Sequence, residues 1–101
     1  MKPFSERIQK CMDSGRLTGV DLSIWFGRPY HTVRTWRIGK HEPWSPWEQE
    51  AERCLTVLER LIREHKKFPI PASFKASERQ DYMRGLVRER DTRLSQTRSA
   101  G

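Results

Sequence analysis

Long apolar runs are missing from this 101-residue chain. No stretch approaches the roughly 18 residues that a bilayer-spanning helix needs. The opening MKPFSERIQKC lacks the apolar middle of a secretory signal, so the expectation is a cytoplasmic protein with no membrane partner. Cysteine is scarce. Cys11 and Cys54 both fall on apolar faces of helical patterns and are expected to be buried free thiols. With His31, His41 and His65 they form no CxxC or HxxxH spacing, so neither a metal site nor a cofactor is expected. Enzyme signatures are also lacking: no Gly-rich phosphate loop, HExxH or GxSxG occurs. Glu48, Glu50 and Glu52 lie on one solvated helix and make no acid–base pair. The expectation is a non-enzyme.

Acidic residues are outnumbered, 13 against 20 Lys and Arg, for a formal net charge of +7. That excess points to a polyanionic partner, nucleic acid before membrane. Hydrophobic residues make up 35% and charged residues 33%, so a core must be compact and helical. Strand signals are nearly absent, which makes the chain all-α.

Helical signals, by contrast, come in sequence. Phe4, Ile8, Cys11 and Met12 recur at helical spacing, with Ser5 as N-cap and Gly15 as stop. Thr18-Gly-Val-Asp21 reads as a capping box opening a short helix with Leu22, Trp25 and Phe26, which ends at Gly27. Pro29 suits the first turn of the next helix, where Val33 and Trp36 face inward and Gly39 closes. Ser45-Pro46-Trp47-Glu48 reads as a second capping box. From it a helix over 46–66 carries the stripe Trp47, Ala51, Cys54, Leu55, Leu58, Leu61 and Ile62. FPIPASF breaks that helix, because its prolines remove donors and fix φ. A last helix from Ser77 carries Tyr82, Met83, Leu86 and Val87, and beyond Val87 the charged chain is expected to fray. The expected organisation is a DNA-binding domain over 1–67, a Pro-containing linker over 68–76, and a C-terminal helix with basic tail over 77–101.

Two short helices joined by a tight glycine turn form a helix-turn-helix, whose second helix enters the DNA major groove. Leu22, Phe26, Val33 and Trp36 form the wedge that fixes the helix angle. The outer face of the second helix keeps Tyr30, His31, Arg34, Thr35 and Arg37. All four tryptophans, Trp25, Trp36, Trp44 and Trp47, are expected in core or interface.

The stretch LSIWFGRPYHTVRTWRIGKHEP resembles the helix-turn-helix of the lambda repressor and Cro-like (XRE) family. The matching residues are Leu22, Ser23, Phe26, Gly27, Val33, Trp36, Gly39, Lys40 and Pro43. Arg28 departs from the pattern, standing where the family usually has an apolar turn residue, which predicts a wetter turn. The resemblance implies double-stranded DNA as partner, read at base edges by Tyr30, His31, Arg34 and Thr35. Arg34 is the strongest candidate for specificity, because its paired donors match guanine O6 and N7. Thr18, the Gly19 amide, Arg28, Arg37 and Lys40 are the candidates for phosphate. It further implies a Cro/repressor-like transcriptional regulator of phage type, working at the bacterial nucleoid. Leu55 and Ile62 widen the 46–66 seam, so part of it is expected to bury against a second subunit in a homodimer. The order of elements is also similar to that of small terminase subunits of tailed phages. There, a hairpin of 46–66 with 77–94 would build a ring oligomer for DNA packaging.

Overall fold

The computed structural model describes residues 3–44 and 46–100, with side chains through residue 92. The protein is all-helical, as expected, with α1 (Phe4–Gly15), α2 (Gly19–Phe26), α3 (Tyr30–Arg37), α4 (Glu48–Glu64) and α5 (Ala76–Ala100). The described residues contain no strand.

Helix α1 buries Phe4, Ile8 and Cys11 on one face. Ser5 is not its cap. The helix begins two residues earlier than that cap implies, with Pro3 at the N-cap and no side-chain capping bond. The reason is packing: the Phe4 ring sits 6.2 Å from Phe26 and 5.8 Å edge-on from Trp36, which draws Phe4 into the first turn. Gly15 is the last helical residue, and the left-handed turn belongs to Arg16, φ 54°. Glycine is needed at 15 for a different reason. A Cβ there would lie 3.1 Å from Ile62 Cδ1, so its absence lets α1 and α4 approach closely.

The Thr18 capping box forms as the sequence predicts, with Thr18 Oγ1 accepting from the Asp21 amide and Asp21 Oδ2 accepting from the Thr18 amide. Helix α2 is apolar on most of its surface, the pattern of a helix enclosed by neighbours. It buries Leu22, Trp25 and Phe26 among α3, α4 and α5. Trp25 Nε1–H donates to the Cys54 carbonyl at 2.9 Å, satisfying a donor that burial would otherwise orphan. Gly27, φ 65°, closes the helix in a conformation that disfavours any side chain. Pro29 stands at the N-cap of α3 rather than in its first turn. Val33 and Trp36 face inward, and Phe26 meets Trp36 edge-on at 5.5 Å, so the expected wedge is in place.

Helix α4 starts at Glu48, two residues after the predicted start. Trp47 is its N-cap and makes no side-chain capping bond, and the expected Ser45 cap lies outside the described residues. Trp47 does not join the apolar stripe: it is 46% exposed, and its ring carries the Arg28 guanidinium 3.9 Å above its centre. Arg28, which was expected to leave the turn wet, is half-buried against that ring by a cation–π contact, while Gly27 and Pro29 beside it stay exposed. Ala51, Cys54, Leu55, Leu58 and Ile62 are buried, on the side where α4 meets α1 and α2. The seam offered to a second subunit is thus spent inside one chain. Arg7 adds a polar clasp across α1 and α4, reaching Glu52 at 2.6 Å and Glu59 at 2.7 Å.

Helix α4 ends at Glu64, two residues short of the expected 66, because His65 turns left-handed (φ 57°) before FPIPASF begins. In that segment Phe68 and Ile70 are buried and join one core cluster with Met83 and Leu86. Helix α5 then packs along α2, and among the described residues its backbone does not approach α4 as the terminase-like hairpin of 46–66 with 77–94 would require. Nor does α5 stop at Val87, for it continues to Ala100. Two arginines hold it to α2. Arg79 reaches Asp21 Oδ2 at 2.5 Å and the Arg16 carbonyl at 3.0 Å. Arg90 donates to the Trp25 carbonyl and lies 4.6 Å over the Trp25 ring. Leu94, the last apolar residue of the 77–94 arm, has its side chain outside the described residues.

Candidate nucleic-acid interface

The inner face of α3 is locked by Val33 and Trp36, so its outer face is displayed at a fixed angle. Tyr30, His31 and Arg34 are all exposed there. Arg34 pairs with no carboxylate among the described residues, which leaves its five donors available. Tyr30 is 49% exposed, and its ring lies across the start of α2. A Cβ at Gly19 would come within 2.5 Å of Tyr30 Cε2, so glycine at 19 makes room for the tyrosine. Tyr30 thus has a packing role that the sequence did not disclose.

Thr35 departs from expectation. It is half-buried, its hydroxyl donates to the Thr32 carbonyl at 2.6 Å, and its own carbonyl accepts from the Lys40 and His41 amides at 3.0 and 3.2 Å. It folds the loop back on α3 and does not stand with the outward trio.

The phosphate candidates divide likewise. Thr18 is exposed, with its hydroxyl engaged in the capping box, and Gly19 is half-buried beneath Tyr30. Lys40 is exposed on the loop held by Thr35, and Arg37 is half-buried at the end of α3. Arg28 is drawn away to Trp47. Thr18, Gly19 and Tyr30 come together at one end of the face, and Thr35, Lys40 and His41 at the other.

Asp21 anchors the first of these groups. It is the single buried charged residue among those described, 1% exposed, and Arg79 supplies its counter-charge. One guanidinium therefore ties the end of α1, the cap of α2 and the first turn of α5. Sequence reasoning missed Arg79 because nothing local marks it.

Exposed large apolar side chains have a clear distribution. Among the described residues they are Val20, Tyr30, Ile38, Trp44 and Trp47, all on the helix-turn-helix or the loop after it. Trp44, expected in core or interface, is 71% exposed and stacks on His41 at 6.2 Å. Helices α1, α4 and α5 contribute none to this group. Within the same residues no three His, Cys, Asp or Glu side chains converge as metal ligands, and no helix is long and apolar enough to cross a membrane. No known family profile, curated protein or solved structure matches this chain.

Proposed function

We propose that the protein binds double-stranded DNA sequence-specifically, with α3 in the major groove, and acts as a transcriptional regulator of the Cro/repressor type. The observation that carries this reading is the division of α3 into a locked inner face and an outer face bearing Tyr30, His31 and an unpaired Arg34. A helix of about 10–12 Å diameter matches a major groove about 12 Å wide. The net charge of +7 supplies the attraction to phosphate that any such complex needs.

In this reading Arg34 takes guanine O6 and N7, and His31 lies beside it on the groove floor. Tyr30, seated on Gly19, spans the junction between base edges and the backbone near the start of α2. Thr18 and the Gly19 amide face phosphate there, where the positive end of the helix dipole assists. Lys40 takes phosphate at the far end of α3. Arg37 supports it from a half-buried position, and Arg28 serves chiefly the fold.

The test is a footprint of the protein on fragments of its own genome at about 0.15 M salt, where backbone attraction alone is weak. A discrete protected site beside a promoter is the expected result. Binding that is smeared over all fragments and vanishes with salt would remove the proposal.

A further inference from the structure

Ile38 is a residue that the helix-turn-helix reading leaves without a task. It is the C-cap of α3, still in right-handed helical backbone (φ −83°, ψ −1°), and its amide donates to the Arg34 carbonyl at 3.1 Å. Ile38 therefore prolongs the row of side chains spaced four apart, Tyr30, Arg34 and Ile38. All three are exposed, Ile38 by 55%. A single exposed apolar residue needs no explanation. A β-branched one at an exposed helix end, in line with an unpaired arginine and an exposed tyrosine, does.

We infer that Ile38 is a specificity-determining residue which reads a thymine methyl group in the major groove, beside the guanine taken by Arg34. This rests on the DNA-binding reading above. The thymine C5-methyl is the apolar group displayed on the major-groove floor, and side-chain methyls recognise it by contact. The unpaired Arg34 next to Ile38 fixes the occupant as a polyanion whose floor also offers paired acceptors. Register follows from helix geometry. Four residues at about 1.5 Å each separate Arg34 from Ile38 by about 6 Å along the helix. With bases about 3.4 Å apart, the thymine lies about two base pairs from that guanine, toward the C-terminal end of α3. Tyr30, on the other side of Arg34, borders the base pairs at the opposite end.

The experiment uses the full chain and the tightest duplex it selects from a random-sequence pool. Each thymine in turn is replaced by deoxyuridine, which lacks the methyl but pairs identically. At one position, about two base pairs from the guanine that Arg34→Ala ceases to prefer, the wild type should lose about fourfold in affinity, the worth of one buried methyl. Ile38→Ala should bind the thymine duplex as weakly as the wild type binds the uracil one, and be indifferent to the exchange. Uniform wild-type affinity across all deoxyuridine duplexes would overturn the inference, as would an Ile38→Ala variant that keeps the wild-type sensitivity. An Ile38→Ala variant with unchanged DNA affinity but altered sedimentation would place Ile38 in a protein contact and overturn it too. The deoxyuridine series on the wild type decides the matter even if the variant does not fold. Failure of the pool to yield any preferred sequence would refute the DNA reading itself, a result distinct from a preferred site that ignores the methyl.

Discussion

Removing Arg79 should cost far more than neutralising its partner. Asp21 is almost wholly buried at the start of α2, while the Arg79 side chain retains 19% of its exposure. In Arg79→Ala the buried carboxylate loses its counter-charge and keeps the Thr18 amide as its remaining partner. Breaking a buried pair in this way costs about 3–5 kcal/mol, and the surviving capping bond places the expectation at the low end, about 3 kcal/mol. In Asp21→Asn the cap can still accept from Thr18, and Arg79 can turn toward water, so a loss of about 1 kcal/mol is expected. The double variant should be little worse than Asp21→Asn alone, a coupling of about 3 kcal/mol. Urea denaturation followed by far-UV circular dichroism reads all three. For a domain of this size, about 3 kcal/mol moves Tm by about 12–24 °C. An Arg79→Ala loss below about 1 kcal/mol, typical of a solvated pair, would refute the reasoning.

Arg90→Ala should destabilise by about 2 kcal/mol, since it deletes a charged hydrogen bond to the Trp25 carbonyl and a cation–π contact on the same residue. A urea midpoint equal to wild type would show that α5 is held without it. Burial pushes the Cys11 thiol from its ordinary 9.0 up to about 12, and raises Cys54 as well. Both should react with Ellman's reagent at pH 8 only after denaturation, because the thiolate is the nucleophile. A raised folded value also means that the stabilising effect of the protonated Cys11 is complete below about pH 9 and lost as pH climbs toward 12. Denaturation at pH 8 and 10.5 would show it as a lower midpoint at the higher pH. Lys40→Ala should weaken all duplexes alike and lower the slope of log affinity against log salt by about one; an unchanged slope would remove Lys40 from the phosphate contacts.

How far the chain could be read before folding depended on how local each signal is. The Thr18–Asp21 box, Gly27 and the Val33–Trp36 pair act within a few residues, so the helix-turn-helix was legible nearly residue by residue. The start of α1 was displaced because Phe4 answers to Phe26 and Trp36, distant in sequence. Trp47 was misplaced for a similar reason: its spacing fits the α4 stripe, but Arg28 from another element claims its ring. Helix α5 was the least legible. Its inward arginines, Arg79 and Arg90, find partners 58 and 65 residues away, and in sequence they look like any other charges of a basic tail. Phe68 and Ile70 lie in a proline-broken segment without period, so no pattern placed them in the core. On α3, the exposure of Tyr30, His31 and Arg34 was legible from helical spacing alone. The half-buried setting of Thr35 was not, because it comes from a hydroxyl bond to the Thr32 carbonyl, and Ile38 lies before the closing Gly39 but off the inward spacing of Val33 and Trp36.

The central claim is that Arg34 reads a base from an exposed face of α3. Its most direct measurement is a parallel selection of duplexes from one random-sequence pool by wild type and Arg34→Ala at about 0.15 M salt, where backbone attraction is weak. Wild type should enrich a defined site containing guanine. Arg34→Ala should keep the rest of that site, lose the preference at the guanine, and bind it roughly 5- to 150-fold more weakly, the range spanned by a lost bidentate contact of about 1–3 kcal/mol. Enrichment of the same site by both proteins, with equal affinity, would contradict the claim.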